Sequence, residues 1–195
     1  MVMKGYVYLL TCIVAMFVVM PVAKAQRLIP RQKGIEIAAG IPIIKGNKLF
    51  SSNNYEVSIL LSRYLKRENY TFMSIEYQTQ DIPYRSYNVA MQDILANIGY
   101  MHPLFSDKGK NVLAYIGMSA VCGYEQMNNG EKILPDGATL LDRSRFVYGP
   151  AVHFNIECFL SDNIILLLKS KGIMLFGTDL HRLRPSLSAG LRITI

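Results

Sequence analysis

The residues at positions 185–195 alternate strictly between apolar and polar or small side chains, and this pattern constrains the fold more than any other feature of the chain. Successive side chains of a β-strand point to opposite faces, so the segment predicts a strand with one apolar face. The apolar set is Leu187, Ala189, Leu191, Ile193 and Ile195, and the set between them is Ser186, Ser188, Gly190, Arg192 and Thr194.

Seven further segments show this alternation with varying regularity. Those at 112–125 and 145–160 are the most regular, whereas those at 88–102 and 164–175 are the least regular. Strands of about 9 to 11 residues are long enough to cross a membrane. The pattern predicts eight antiparallel strands, at 34–43, 55–63, 70–79, 88–102, 112–125, 145–160, 164–175 and 185–195.

The chain after residue 25 contains no stretch apolar enough for a membrane-spanning helix. Its richest apolar run is 164–168, whereas a spanning helix needs about 20 residues. Only helices and closed barrels satisfy every backbone hydrogen bond in lipid. We therefore predict an all-β fold, a single small up-and-down antiparallel barrel of about eight strands, of the outer-membrane type. Short turns at 67–69, 103–111 and 161–163 would alternate with longer loops at 44–54, 80–87, 126–144 and 176–183.

The N-terminal residues have the pattern of an export signal. Lys4 precedes an apolar run over 6–22, which ends at Ala23-Lys24-Ala25, a small-x-small cleavage pattern. We expect residues 1–25 to be a cleaved signal peptide and 26–195 to form the barrel domain, with an uncleaved membrane anchor as the alternative. Removal of Lys4 and Lys24 lowers the net charge from +7 to +5, and the basic residues are too scattered to indicate nucleic-acid binding.

The face opposite the apolar one carries charged residues that would point into the barrel. Buried charges are costly unless they are paired, so we expect a network of salt bridges that plugs the lumen, including a pair between Arg192 and Glu36. A catalytic carboxylate pair is the alternative. The predicted members are Glu36, Glu56, Glu76, Asp93, Glu157, Lys169, Lys171 and Arg192.

The residue types that carry catalysis or bind metals form no recognisable set. The histidines are scattered without spaced cysteine or aspartate partners, so we expect no metal site and no cofactor. Cys122 and Cys158 should lie near opposite ends of adjacent strands, and we predict no disulfide between them. The chain is therefore expected not to be an enzyme.

A soluble ligand-binding barrel, with its apolar residues pointing inward, would show the same alternation. Aromatic residues near strand ends favour a membrane barrel instead, because tyrosine is enriched at membrane interfaces. The residues concerned are Tyr100, Tyr124 and Tyr148, together with Pro150.

The loop that begins at Gly123-Tyr-Glu125 continues through Asn128-Asn-Gly-Glu131 and Asp136-Gly-Ala-Thr-Leu140. Together with 26–36 and the segment Phe146-Val-Tyr-Gly149, it resembles the TraO family of conjugal transfer proteins, which conjugative transposons of Gram-negative anaerobes encode. The resemblance covers 26–195 and implies a part of the conjugation (mating-pore) apparatus in, or tightly associated with, the outer membrane.

A small plugged barrel could not pass DNA, so the expected role is a non-enzymatic anchor or assembly factor. Its partners would be other conjugal transfer proteins and outer-membrane lipid, without direct contact to nucleic acid. The candidate partner contact is the 126–144 loop, whose apolar residues Ile133, Leu134, Leu140 and Leu141 suggest that something covers them. The loop could equally fold back over the barrel mouth. A general outer-membrane adhesin or envelope-stability barrel, and a soluble periplasmic binding barrel, are the alternative functions.

Overall fold

The eight predicted strands form a closed antiparallel barrel in chain order. The computed structural model describes residues 30–43, 53–84, 87–131, 137, 139, 144–178 and 181–195. Each strand pairs with its neighbours in sequence, and the first also pairs with the last, which leaves no open sheet edge. The strands are β1 (Lys33–Pro42), β2 (Tyr55–Tyr64), β3 (Tyr70–Tyr84), β4 (Tyr87–Ser106), β5 (Val112–Met127), β6 (Ser144–Phe159), β7 (Ile164–Met174) and β8 (Leu183–Thr194).

Two single-turn helices of the 3-10 type, Lys66–Glu68 and Asn128–Gly130, lie between strands. None of the helices in the described part of the chain has the length and hydropathy to span a membrane.

The register of the barrel is sheared. The Cα partners that begin at Lys33 can be followed around all eight strands to Pro185, whose carbonyl accepts from the backbone N–H of Ile43 at 2.8 Å. One circuit therefore moves the register by ten residues, from 33 to 43. Small sheared barrels tilt their strands by about 35–45°, and at eight strands their interior is filled by side chains.

The apolar side chains face outward on every strand. Ile59 and Ile75 near mid-height are 56% and 66% exposed, while Glu56 and Glu76 on the same two strands are buried. The ten residues of β1, at about 3.3 Å each and a tilt near 40°, span about 25 Å along the barrel axis. This height equals that of the apolar band of outer-membrane barrels. The soluble alternative required the opposite arrangement and is wrong.

Aromatic residues border this band at the end that carries the longer loops. The Phe146 and Tyr148 rings stack with centroids 6.3 Å apart, and Phe176 lies 5.9 Å from Tyr148. Tyr55 and Tyr77 form a third contact at 6.2 Å on the other side of the barrel. Such a girdle is typical of a membrane interface.

The wall formed by β3 to β6 is taller than the rest. These strands have 15 to 20 residues, whereas the other four have 10 to 12. The predicted loop at 80–87 was wrong, because β3 continues to Tyr84 and pairs it with Tyr87. The polar residues that suggested a loop there lie beyond the apolar band, where a strand needs no apolar face. At the other end, β4 continues through a bulge between Pro103 and Phe105 into the predicted turn at 103–111.

The interior is not polar throughout. Large apolar and aromatic side chains fill it near the short turns, among them Ile165 and Leu167 of β7, both 0% exposed. This explains why β7 alternates poorly: its first inward positions are apolar, and only Lys169 and Lys171 above them are charged.

Candidate functional site

The lumen holds its charged residues in three layers, and the lowest is centred on Arg192 of β8. Its guanidinium donates to Glu36 of β1 at 2.7 and 3.1 Å and to Glu157 of β6 at 2.8 Å. Lys169 contacts the second oxygen of Glu36 at 2.5 Å. Arg192, Glu36 and Glu157 are 0% exposed, whereas the Lys169 side chain at the edge of this layer is 11% exposed.

Two tyrosines complete the lowest layer. Tyr70 donates to Glu157 at 2.8 Å, and Tyr64 accepts a bond from Arg192 at 2.6 Å. The guanidinium carbon of Arg192 also lies 4.6 Å from the centre of the Tyr70 ring, within the range of a cation–π contact. Arg192 is therefore held by charge, hydrogen bonds and ring contact at once.

The middle layer is centred on Lys171 of β7. Its ammonium group lies 3.0 Å from Glu56 and also contacts Glu76. The Asn97 amide donates to the other oxygen of Glu76 at 3.1 Å. His153 lies beside this layer, with its Nε2 2.8 Å from the Ser119 hydroxyl oxygen.

The uppermost layer is centred on Arg184. Its guanidinium contacts Asp93 of β4 at 2.6 Å and also Glu125 of β5. Thr178 donates to Glu125 at 3.0 Å. Gly177 before it has a φ of +85°, a left-handed conformation that glycine adopts without strain and that brings the chain back over the lumen.

Each of the six lumen carboxyl groups contacts at least one of four cations, and the eight residues predicted for the network all lie in it. Two residues of the network, Glu125 and Arg184, were not among the predicted members; Glu125 is the last residue of the predicted strand 112–125, and Arg184 directly precedes the predicted strand 185–195. The alternation could have identified Arg184, because it lies an even number of positions from Ser186, Ser188 and Arg192 and therefore on the same face of the strand. Tyr64 and Tyr70 could be predicted in the same way, because they lie on the inward faces of β2 and β3. No pattern in the sequence around Thr178 predicted that it contacts the network.

Among the described residues, one small cavity lies beside the middle layer. The cavity bordered by Glu56, Glu76, His153 and Lys171 has a volume of about 10 Å³, room for about one water molecule. Glu56 Oε2 and Asn155 Oδ1, both of residues that border the cavity, are buried without a partner among the described residues. The two described carboxylates that border this cavity, Glu56 and Glu76, both contact Lys171.

The remaining sequence-predicted residues lie apart from the lumen network. Cys122 and Cys158 are free thiols, opposite Tyr148 and Val112 at the two ends of the β5–β6 pair. The described residues include no group of histidine, cysteine and acidic side chains suited to a metal ion. The loop residues Ile133, Leu134, Leu140 and Leu141 lie outside the described part of the chain, as does the segment 1–25.

A comparison with protein families matches residues 29–195 to the model described as conjugative transposon protein TraO. The chain belongs to the TraO family of conjugative transposon proteins. This family was the one expected from the loop motifs and the segment at 26–36. A comparison with curated protein sequences finds no match.

Solved structures similar to this TraO-family protein are outer-membrane barrels. One is Ail, the attachment invasion locus protein of Yersinia pestis, in complex with the heparin analogue sucrose octasulfate. It has a TM-score of 0.56 and 10% identity over 86% of this chain and 100% of Ail. Another is Neisserial surface protein A, with a TM-score of 0.50 and 12% identity over 84% of this chain and 96% of that protein. At these identities the likeness establishes the fold alone.

Proposed function

We propose that this TraO-family protein is a non-enzymatic anchor or assembly factor for other conjugal transfer proteins in the outer membrane. Residues 1–25 would direct export and be cleaved, and 26–195 would insert as the barrel. The observation that carries the proposal is the combination of an outward apolar band with a lumen filled by paired charges. Such a barrel is held by lipid and offers no path for DNA, so its contribution to transfer would be made through its ends.

The 126–144 loop is the candidate contact with partner proteins, through Ile133, Leu134, Leu140 and Leu141. The loop connects β5 and β6, two strands of the taller wall, whose ends at Met127 and Ser144 lie at the end of the barrel with the longer connections. In outer-membrane barrels this end, with the longer loops, faces outward and the short turns face the periplasm.

Membrane insertion is tested first by fractionation and gel mobility. We expect the protein in the outer-membrane pellet, starting at Gln26, and migrating faster in unheated than in heated samples because the barrel remains folded in detergent. A soluble product would contradict insertion, and a retained segment 1–25 would contradict cleavage.

The role in transfer is tested by deleting residues 128–140 and measuring mating frequency alongside heat-modifiable mobility. We expect a folded barrel with mating reduced to the level of a strain lacking the gene. As the matched control, replacing only Lys132 and Glu131 by serine should leave mating normal, because the four apolar residues remain. Normal mating with the deleted, folded barrel would contradict docking through this loop. Normal mating in the strain lacking the gene would instead indicate a general envelope role.

A further inference from the structure

The outer wall formed by β1 to β4 carries a row of polar side chains near the short-turn end, directly below apolar ones. Lys33, Arg63, Thr71 and Tyr100 are successive Cα partners across the four strands. All four side chains are exposed. Adjacent strands lie about 4.8 Å apart, so an ammonium, a guanidinium, a hydroxyl and a phenol are presented side by side.

The next outward position on each strand is apolar. Ile35, Leu61, Met73 and Ile98 are again successive partners, and they are 44% to 61% exposed. Between these two rows lies a surface groove of about 650 Å³, with Lys33 and Arg63 at one end and Leu61 and Met73 along its floor. A second groove of about 580 Å³ shares Leu61 and Met73 and continues towards Tyr77.

The opposite wall has no such arrangement. Near the same end, the row of successive partners across β5 to β8 consists of Ala114, Ile156, Leu168 and Ala189, which are all apolar. Within the described residues, the ion pairs involve neither Lys33 nor Arg63. The cationic end of the groove is therefore a local feature of one wall.

We infer that the β1–β4 wall binds an anionic phospholipid of the periplasmic leaflet, with the phosphate on Lys33 and Arg63 and an acyl chain along the groove. The inference rests on the proposed membrane insertion, which puts the short turns at the periplasmic side. Charge complementarity selects the headgroup, because the two cations and the Thr71 hydroxyl border the groove and a phosphate offers them several acceptor oxygens. The apolar groove that begins at these cations selects a lipid over a free phosphate.

The test is native mass spectrometry of the refolded chain from mixed micelles of phosphatidylglycerol and phosphatidylcholine. We expect the unmodified protein to retain one phosphatidylglycerol in preference to phosphatidylcholine. A Lys or Arg that lies next to the bound headgroup contributes roughly a fivefold factor to binding of anionic lipid. The double variant Lys33→Gln, Arg63→Gln should therefore lose about 25-fold in this preference.

The control variant Arg67→Gln, Lys108→Gln removes the same charge from turns at the same end and should keep the preference. Met73→Trp should reduce lipid retention by filling the groove while both cations remain. Equal retention of the two lipids by the unmodified protein, or an equal loss in the control, would overturn the inference.

Insertion into vesicles of phosphatidylcholine alone, read by heat-modifiable mobility, separates this inference from the proposed function. A chain that fails to insert there contradicts the membrane barrel itself. A chain that inserts but shows no preference for phosphatidylglycerol contradicts the lipid site alone.

Discussion

Replacing Arg192 by methionine should destabilise the barrel more than any other single change in the lumen. Arg192 contacts both Glu36 and Glu157, and all three residues are completely buried. Removing one partner of a buried ion pair costs about 3–5 kcal/mol, because a charge is left uncompensated. Glu36 keeps Lys169 in the variant, so the loss falls mainly on Glu157.

The measurement is urea unfolding of the protein in detergent micelles, followed by tyrosine fluorescence, since the chain contains no tryptophan. With a slope of about 2 kcal/mol per molar urea, the midpoint should fall by about 1.5–2.5 M. The double variant Arg192→Met, Glu157→Gln removes the uncompensated charge and should recover a large part of the shift. The exposed control Arg63→Met should leave the midpoint within about 0.3 M, as surface changes usually stay within about 0.5 kcal/mol.

A shift below about 0.5 M for Arg192→Met would refute the reasoning, since it would mean that the buried carboxylates do not depend on this cation. The same conclusion would follow if the double variant were no more stable than the single one, because the two changes would then be independent.

Three further predictions follow from the fold. Ile59→Arg near mid-height on the lipid-facing side should cost about 2–4 kcal/mol and lower insertion into vesicles, whereas Tyr55→Arg at the interface should cost about 1 kcal/mol or less. Arg184→Met, which removes the cation shared by Asp93 and Glu125 at the loop end, should lower the urea midpoint by more than 1 M. An unchanged midpoint would mean that these two acids do not depend on Arg184. Gly177→Ala should also destabilise this end, because its φ is +85° and the added Cβ would lie 2.6 Å from the Phe146 carbonyl oxygen; hydrogen exchange at Thr178 would detect the loosening.

The strand pattern could be predicted because the membrane imposes a simple rule on each strand. Lipid requires an apolar outward face, so residues such as Ile59 and Leu191 identify both the strand and its orientation. Strand residues outside the lipid no longer need an apolar outward face. Asp81 and Gln80 lie on a strand that rises beyond the apolar band, and their polarity suggested a loop.

The composition of the lumen was harder to predict, because the interior places no single demand on its side chains. Ile165 and Leu167 belong to a cluster with buried tyrosines. Lys171, two inward positions further along β7, instead contacts acids from β2 and β3. The alternation along each strand predicted which charged residues point inward. Apart from the Arg192–Glu36 pair across adjacent strands, their partners depend on the shear of the barrel. The loop contribution from Thr178 depends on a single positive φ at Gly177 and could not be read from any periodic pattern.

The partners in the lumen network are far apart in sequence, which links plugging of the barrel to its closure. Arg192 reaches Glu36 across 156 residues, and this contact spans the β1–β8 seam that closes the barrel last in chain order. Before the seam forms, these charges need water, because an unpaired buried ion is costly. The network therefore stabilises only the closed state, and it opposes partly formed barrels that would place bare charges in lipid. An interior built in this way favours an all-or-none structure, because the buried charges of the described strands find their partners only when the barrel closes.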